Sequence, residues 1–314
     1  MNKFQTAFVM SIILVFLFQG KSSASCIQGD CYEGRGIFNG TNYQYDGEFR
    51  EGKFNGMGKA VYGDGTTYNG QFLDGLFHGK GTYVRSNGEK YMGDMVRGQF
   101  EGKGVYIYPD GKQYSGEFSN DYFNGQGIFS FPNGEIYEGG FKDGKMNGQG
   151  VYTYPLGKSY TGEFANGLPE GHGILVNEIG DRYDGDFKQG FKEGNGTLTY
   201  LIGRIYTGEF SHDEPAGEGI LTETDGIVMK GIFKNGKLNG YGTKIFSEKE
   251  RYAGEFKDGR FDGQGTYAYP DGRVYVGEWA NNLQNGKGRV WYPDGVVTEG
   301  FFVEGVFKKG EPDE

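Results

Sequence analysis

Ring-bearing residues and bare glycines alternate with polar residues at intervals of two along most of this chain, and the whole pattern returns every 23 residues. The first position of the pattern is Tyr45, Tyr68, Tyr91, Tyr114, Tyr137, Tyr160, Tyr183, Tyr206, Met229, Tyr252, Tyr275 and Thr298, without insertion or deletion. Two residues on stands a glycine in every copy, from Gly47 to Gly300, and two further on a large apolar residue such as Phe49, Phe118 or Trp279. Residues two apart in a strand share a face, so tyrosine, glycine and phenylalanine line one side and the residue between glycine and phenylalanine points to the other. That residue is acidic in most copies, as Glu48, Asp94, Glu117, Glu163, Asp186, Glu209, Glu255 and Glu278.

The second half of each copy opens with a G-x-G pair, such as Gly56/Gly58 or Gly263/Gly265, followed by a run like Val105-Tyr106-Ile107-Tyr108. Alternating β-branched and aromatic residues make this a second strand. A turn closes the copy, as in Pro109-Asp110-Gly111 and Pro270-Asp271-Gly272, where proline presets φ and glycine accepts a positive one. Each copy is therefore strand, turn, strand, turn. A repeat this regular predicts an all-β, elongated, single-layer antiparallel meander of stacked β-hairpins, curved and twisted, with local contacts only. With neighbouring strands ~4.8 Å apart, each copy advances the sheet by ~9 to 10 Å and the array by ~110 Å. A tyrosine and a phenylalanine flanking a bare glycine leave a notch, into which a ring from a neighbouring copy is expected to fold. The ring position before G-x-G becomes Pro169, Lys192 and Pro215 in copies six to eight, which predicts a change of surface or a bend in the middle third.

The ends depart from the repeat. Residues 1–25 read as a signal peptide, with Lys3, an apolar run from Ala7 to Phe18, and small residues before position 26. Residues 26–44 form an N-terminal cap and partial repeat, 45–297 eleven full copies, and 298–314 a half-repeat with a charged tail. The leader predicts export to a periplasm, envelope or medium. Cys26 and Cys31, the two cysteines of the chain, are then expected to form a disulfide in an oxidising compartment, the rival reading being lipidation of Cys26.

Glycine, at 61 of 314 residues, lacks a G-X-Y period and is accompanied by 50 tyrosines and phenylalanines, which excludes collagen and disorder. The formal net charge of −10 argues against nucleic acid and, less strictly, against anionic lipid. His78, His172 and His212 lie in different columns without metal-ligand spacing, and no G-x-S-x-G or phosphate-binding glycine loop occurs. No catalytic residue, cofactor or metal is predicted. The acids stand about one repeat apart, too far for a paired-carboxylate site, and are read as solvated or bonded to a neighbouring turn. Asn39-Gly40-Thr41 and Asn195-Gly196-Thr197 are formal glycosylation sequons. The rings are the rich feature. Tyr68, Phe72, Tyr114, Phe118, Tyr137, Phe141, Tyr160, Phe164, Tyr252, Phe256, Tyr275 and Trp279 are candidates both for stacking into a linear core and for holding a partner.

Units such as Tyr160-Thr-Gly-Glu-Phe164 with Gly171-His-Gly173, or Tyr252-Ala-Gly-Glu-Phe256 with Gly263-Gln-Gly265, resemble the MORN (membrane occupation and recognition nexus) repeat over essentially the whole mature chain. The resemblance implies a stack of antiparallel β-hairpins serving as a scaffold or interaction surface, with protein partners and in some members a homodimer. No residues remain for an attached enzyme domain. The expected function is thus a non-enzymatic exported scaffold, with a glycan-binding, cell-wall or membrane-lipid-associated repeat protein as the alternative. Only Trp279 and Trp291 represent the tryptophan in which glycan-binding hairpin repeats are rich, which favours the scaffold.

Overall fold

Why a single layer of strands can bury tyrosine completely is answered by the glycines. The expected signal peptide, but for residues 24 and 25, and the chain from 309 on lie outside the described residues of the computed structural model, which are 24–308. The described residues form 26 strands and one 3-10 turn, Pro155–Gly157, in an open antiparallel meander. The strands fall into two compact units, one ending at Leu168 and one beginning at Pro169.

In the first unit, β1 (Ser25–Gly29) pairs with β2 (Gly34–Asn39), β2 with β3 (Tyr43–Arg50), and β3 with β4 (Lys53–Tyr62), each antiparallel to the next. The disulfide Cys26–Cys31, with Cα atoms 5.9 Å apart, closes the loop that links β1 to β2. Asp30 braces the same loop by accepting from the amides of Tyr32 and Glu33 at 2.9 and 3.0 Å, and these two bonds hold its carboxyl below the usual range.

Two kinds of turn alternate. The short hairpins are two-residue loops in which both residues have positive φ, as in Glu51-Gly52 (50° and 71°) and Asn120-Asp121 (49° and 69°). This is the twist-matched geometry that favours Asn, Asp and Gly. The longer turns follow the proline pattern: Gly111 donates to the Tyr108 carbonyl at 3.0 Å and Tyr108 to that of Lys112 at 2.9 Å, with Gly111 at φ 85°.

Register breaks once per copy, at the G-x-G pair. In the strands Gln113–Ser119 and Tyr122–Ser130, Phe118 faces Phe123 and Gly116 faces Gly127, so Glu117 alone stands opposite three residues. Gly125 enters the left-handed region there, at φ 67°, and the strand bulges.

At most bulges the tyrosine ring lies across the two facing glycines of its own copy. A Cβ on Gly127 would stand 2.5 Å from the Tyr114 ring, and one on Gly116 would stand 2.6 Å from the Gln126 carbonyl oxygen. The notch beside the glycine is therefore filled by the tyrosine of the same copy, which corrects the expectation that a neighbouring copy supplies the ring. The neighbour contributes an edge. Tyr114 meets Phe118 of its own copy at 5.1 Å and Phe141 of the next at 5.0 Å, both edge-on, and Phe123 stacks over its face at 3.9 Å. Glycine below, a ring above and edges on both sides leave Tyr114 no exposed surface.

The second unit repeats the design with substitutions. Tyr252 stacks on Phe261 at 3.8 Å, and Tyr206 is held edge-on by Phe210 and Phe233, both at 5.1 Å. Where the stacking ring is replaced, buried Pro215 takes its place in one copy, and in another the Lys192 ammonium lies 5.5 Å from the Tyr183 ring centre. A cation over a ring face is an attractive substitute for a stacked ring.

Candidate interaction surface

The polar column is committed to the bulges. Most acids of the repeat accept a hydrogen bond from the amide of the residue inside the G-x-G pair: Glu48 from Met57 at 3.2 Å, Glu117 from Gln126 at 3.3 Å, Glu255 from Gln264 at 3.0 Å, Glu278 from Lys287 at 3.1 Å. Gln71 performs the same service for Lys80 at 3.3 Å, so an acceptor oxygen and not a charge is what the position requires. The tyrosine hydroxyl satisfies the other half of the bulge. Tyr45, Tyr114 and Tyr275 donate to the carbonyls of Glu48, Glu117 and Glu278 at 2.9, 2.8 and 2.9 Å. A backbone group thrown out of the ladder is in this way paired by a side chain of the same copy.

Glu117→Ala is accordingly expected to cost about 1 kcal/mol, the worth of one such bond. Glu117→Gln should stay within a few tenths of the parent, since it keeps the acceptor. Urea titrations of the three proteins compare them directly, and equal losses for both variants would show that the charge, not the acceptor, matters.

The histidines are dispersed as their columns suggest. The His172 ring lies between Asp184 and Asp186 at 3.1 and 3.6 Å, and His212 sits in a turn beside Glu193. Among the described residues no three His, Cys, Asp or Glu side chains come together as a metal-holding group.

All twelve candidate rings are interior. None of Tyr68, Phe72, Tyr114, Phe118, Tyr137, Phe141, Tyr160, Phe164, Tyr252, Phe256, Tyr275 and Trp279 is more than 6% exposed. Their place is the core, because each is packed against the glycine ladder or against the other rings.

A further row of rings is less buried, and it was not singled out from the sequence. In some copies the run after G-x-G carries rings two apart, such as Tyr106 near the end of its strand and Tyr108 just past it, and three successive copies in the first unit join them into a zigzag. Ring centres are separated by 4.7 Å for Tyr106–Tyr108, 6.1 Å for Tyr108–Phe129, 4.8 Å for Phe129–Phe131, 6.3 Å for Phe131–Tyr152 and 4.5 Å for Tyr152–Tyr154. Tyr106 and Tyr152 are buried, whereas Tyr108, Phe131 and Tyr154 are half-buried and follow one another at one ring per copy. The recurrence of a ring directly before Pro109, Pro132 and Pro155 is the sequence signal for this row.

A groove of about 290 Å³ opens beside it, lined by Phe123, Phe129, Phe131 and Met146, with Glu89, Lys112 and Lys145 also on its walls. Glu89 is paired with Arg85 at 2.9 Å and Lys112 with Asp110 at 2.7 Å. Lys145 is exposed and has no ion pair among the described residues.

The family model described as the MORN repeat matches eleven consecutive stretches: residues 45–67, 68–90, 91–113, 114–136, 137–157, 160–182, 183–203, 206–228, 230–250, 252–272 and 275–297. No curated protein matches the chain. Similar solved structures include the TCP10 domain of Danio rerio CPAP in complex with a peptide of Danio rerio STIL, at 13% identity over 79% of this chain and 96% of that one, with a TM-score of 0.24. The SAS-4 TCP domain of Drosophila melanogaster, in complex with a proline-rich motif of Ana2, is 14% identical over 57% and 84%, with a TM-score of 0.25. Virginiamycin B lyase from Staphylococcus aureus is 14% identical over 89% and 88%, with a TM-score of 0.14. Likenesses this distant carry no functional argument.

Proposed function

Because the chain belongs to the MORN-repeat family, we propose that this member is a non-enzymatic, exported scaffold that binds a protein partner through the half-exposed ring row. One observation carries the reading. The chemically capable side chains of the repeat, its acids and tyrosine hydroxyls, are bonded to the backbone of their own bulges, while an apolar groove beside three half-buried rings is left open. Apolar and aromatic groups around a groove are what a partner needs for a desolvated anchor. Export rests on the leader pattern of residues 1–25.

Two experiments test the reading. Crosslinking the mature protein in its native compartment, followed by mass spectrometry, is expected to recover protein partners joined near residues 108–154. Flotation with phosphatidylserine or phosphatidylinositol phosphate vesicles at physiological salt is expected to leave the protein unbound, since the net charge of −10 opposes anionic headgroups. Strong flotation without calcium would replace the scaffold by a membrane-binding protein.

A further inference from the structure

We propose that the row Tyr108, Phe131 and Tyr154 is a docking track for a proline-rich segment in the polyproline II conformation, carrying acidic residues near one end. The proposal rests on the reading of the chain as a partner-binding module and names the partner's chemistry.

Pitch is the first argument. Two strands per copy advance a sheet by ~9.6 Å, and a polyproline II helix advances ~9.3 Å in each three-residue turn. A segment lying across the strands therefore brings the same face to one ring per copy, three times in succession, with an accumulated mismatch of less than ~1 Å. Nine residues with proline at every third position span ~28 Å and cover the three rings. An extended strand, at ~3.3 Å per residue with alternating faces, falls out of step with such a row.

The character of the groove is the second. Phe123, Phe129, Phe131 and Met146 provide its apolar wall. Its carboxylate Glu89 already serves Arg85, and Asp110 beside it serves Lys112. A sugar needs a dense set of free polar partners around its ring, which these pairings withhold. Proline rings need apolar, preferably aromatic, walls and bring little conformational entropy to lose.

Charge is the third. Lys145 stands on the same groove without an ion pair among the described residues, so an acidic side chain on the incoming segment would complement it.

The test uses the full mature chain and a fluorescein-labelled peptide of three Pro-Ala-Ala turns followed by two glutamates, read by fluorescence anisotropy. Saturable binding is expected. Phe131→Ala and Tyr154→Ala should each weaken it about tenfold, as removal of an aromatic anchor does, with the sheet signal in circular dichroism retained at the assay temperature. Lys145→Glu should weaken it as well, and replacing the two glutamates of the peptide by lysines should restore binding to that variant, which a merely structural role would not do. Equal binding of a shuffled peptide of the same composition, an unaffected Phe131→Ala variant, or binding of a linear glucan oligosaccharide but not of the peptide would each overturn the proposal. If the peptide fails while crosslinked partners are recovered equally by wild type and Phe131→Ala, the track is wrong and the binding module stands. If neither peptide nor partner is captured, both readings fall.

Discussion

Raising the pH above about 11 should melt this protein in one steep step, with tyrosinate absorbance and the loss of β-sheet signal rising together. The expectation follows from the tyrosine column. Burial, reinforced in several copies by the neighbouring acid, pushes the Tyr45, Tyr68, Tyr91, Tyr114, Tyr137, Tyr183 and Tyr252 hydroxyls well above their ordinary value, and those of Tyr206 and Tyr275 up to about 12.

A group whose folded pKa is raised contributes stability that is complete below its unfolded pKa, about 10 for tyrosine, and is lost as pH rises through the folded value. Each such tyrosine thus removes about 1.4 kcal/mol by pH 11. Nine of them acting together remove on the order of 10 kcal/mol, as much as a typical protein possesses. Ionisation would also remove the proton that each hydroxyl donates to its bulge carbonyl, as Tyr114 does to Glu117. A smooth titration near the ordinary tyrosine value with intact sheet signal would contradict the buried column.

Gly127→Ala is expected to be a strongly damaging single-methyl change in the first unit. The added Cβ would sit 2.5 Å from the Tyr114 ring, closer than carbon atoms approach, and the obstacle is a ring held on its other sides by Phe118, Phe123 and Phe141. The ring must leave its place or the strands must part. The cost should reach about 3 kcal/mol, the upper range of overpacking, comparable with Phe118→Ala, for which removing a buried ring costs about 3 to 5 kcal/mol. Gly148→Ala is the control, because a Cβ there meets nothing within 4 Å and only the positive φ of 77° opposes it, a strain of about 1 to 2 kcal/mol.

Chemical denaturation with hydrogen exchange distinguishes the two. Gly127→Ala should open the copies around Tyr114 first, since contacts in such arrays are local. Equal effects at Gly127 and Gly148 would mean that ring contact is not what the glycine ladder protects.

Local regularity determined most of this architecture from the sequence. Strand periodicity is a property of consecutive residues, so the spacing of Tyr114, Gly116 and Phe118 assigned them to one face and Glu117 to the other without knowledge of what lies opposite. The positive φ of Gly111 after Pro109 was equally legible, because turn chemistry is local. The sequence left Cys26 open to a disulfide with Cys31 or to lipidation, and the structure joins the two cysteines.

The tertiary structure decided what the facing strand settles. The bulge opposite Glu117 arises only when two strands are aligned, and it converts an apparent surface acid into the partner of the Gln126 amide and the tyrosine hydroxyl into the partner of a displaced carbonyl. It also decided exposure. Tyr114 and Tyr108 are the same residue type, one within a strand and the other just past the end of the neighbouring one, yet one is enclosed by glycines and three rings while the other remains half-buried on the groove. Enclosure depends on the neighbours that pairing brings from other copies, and the order of residues along one strand does not contain them.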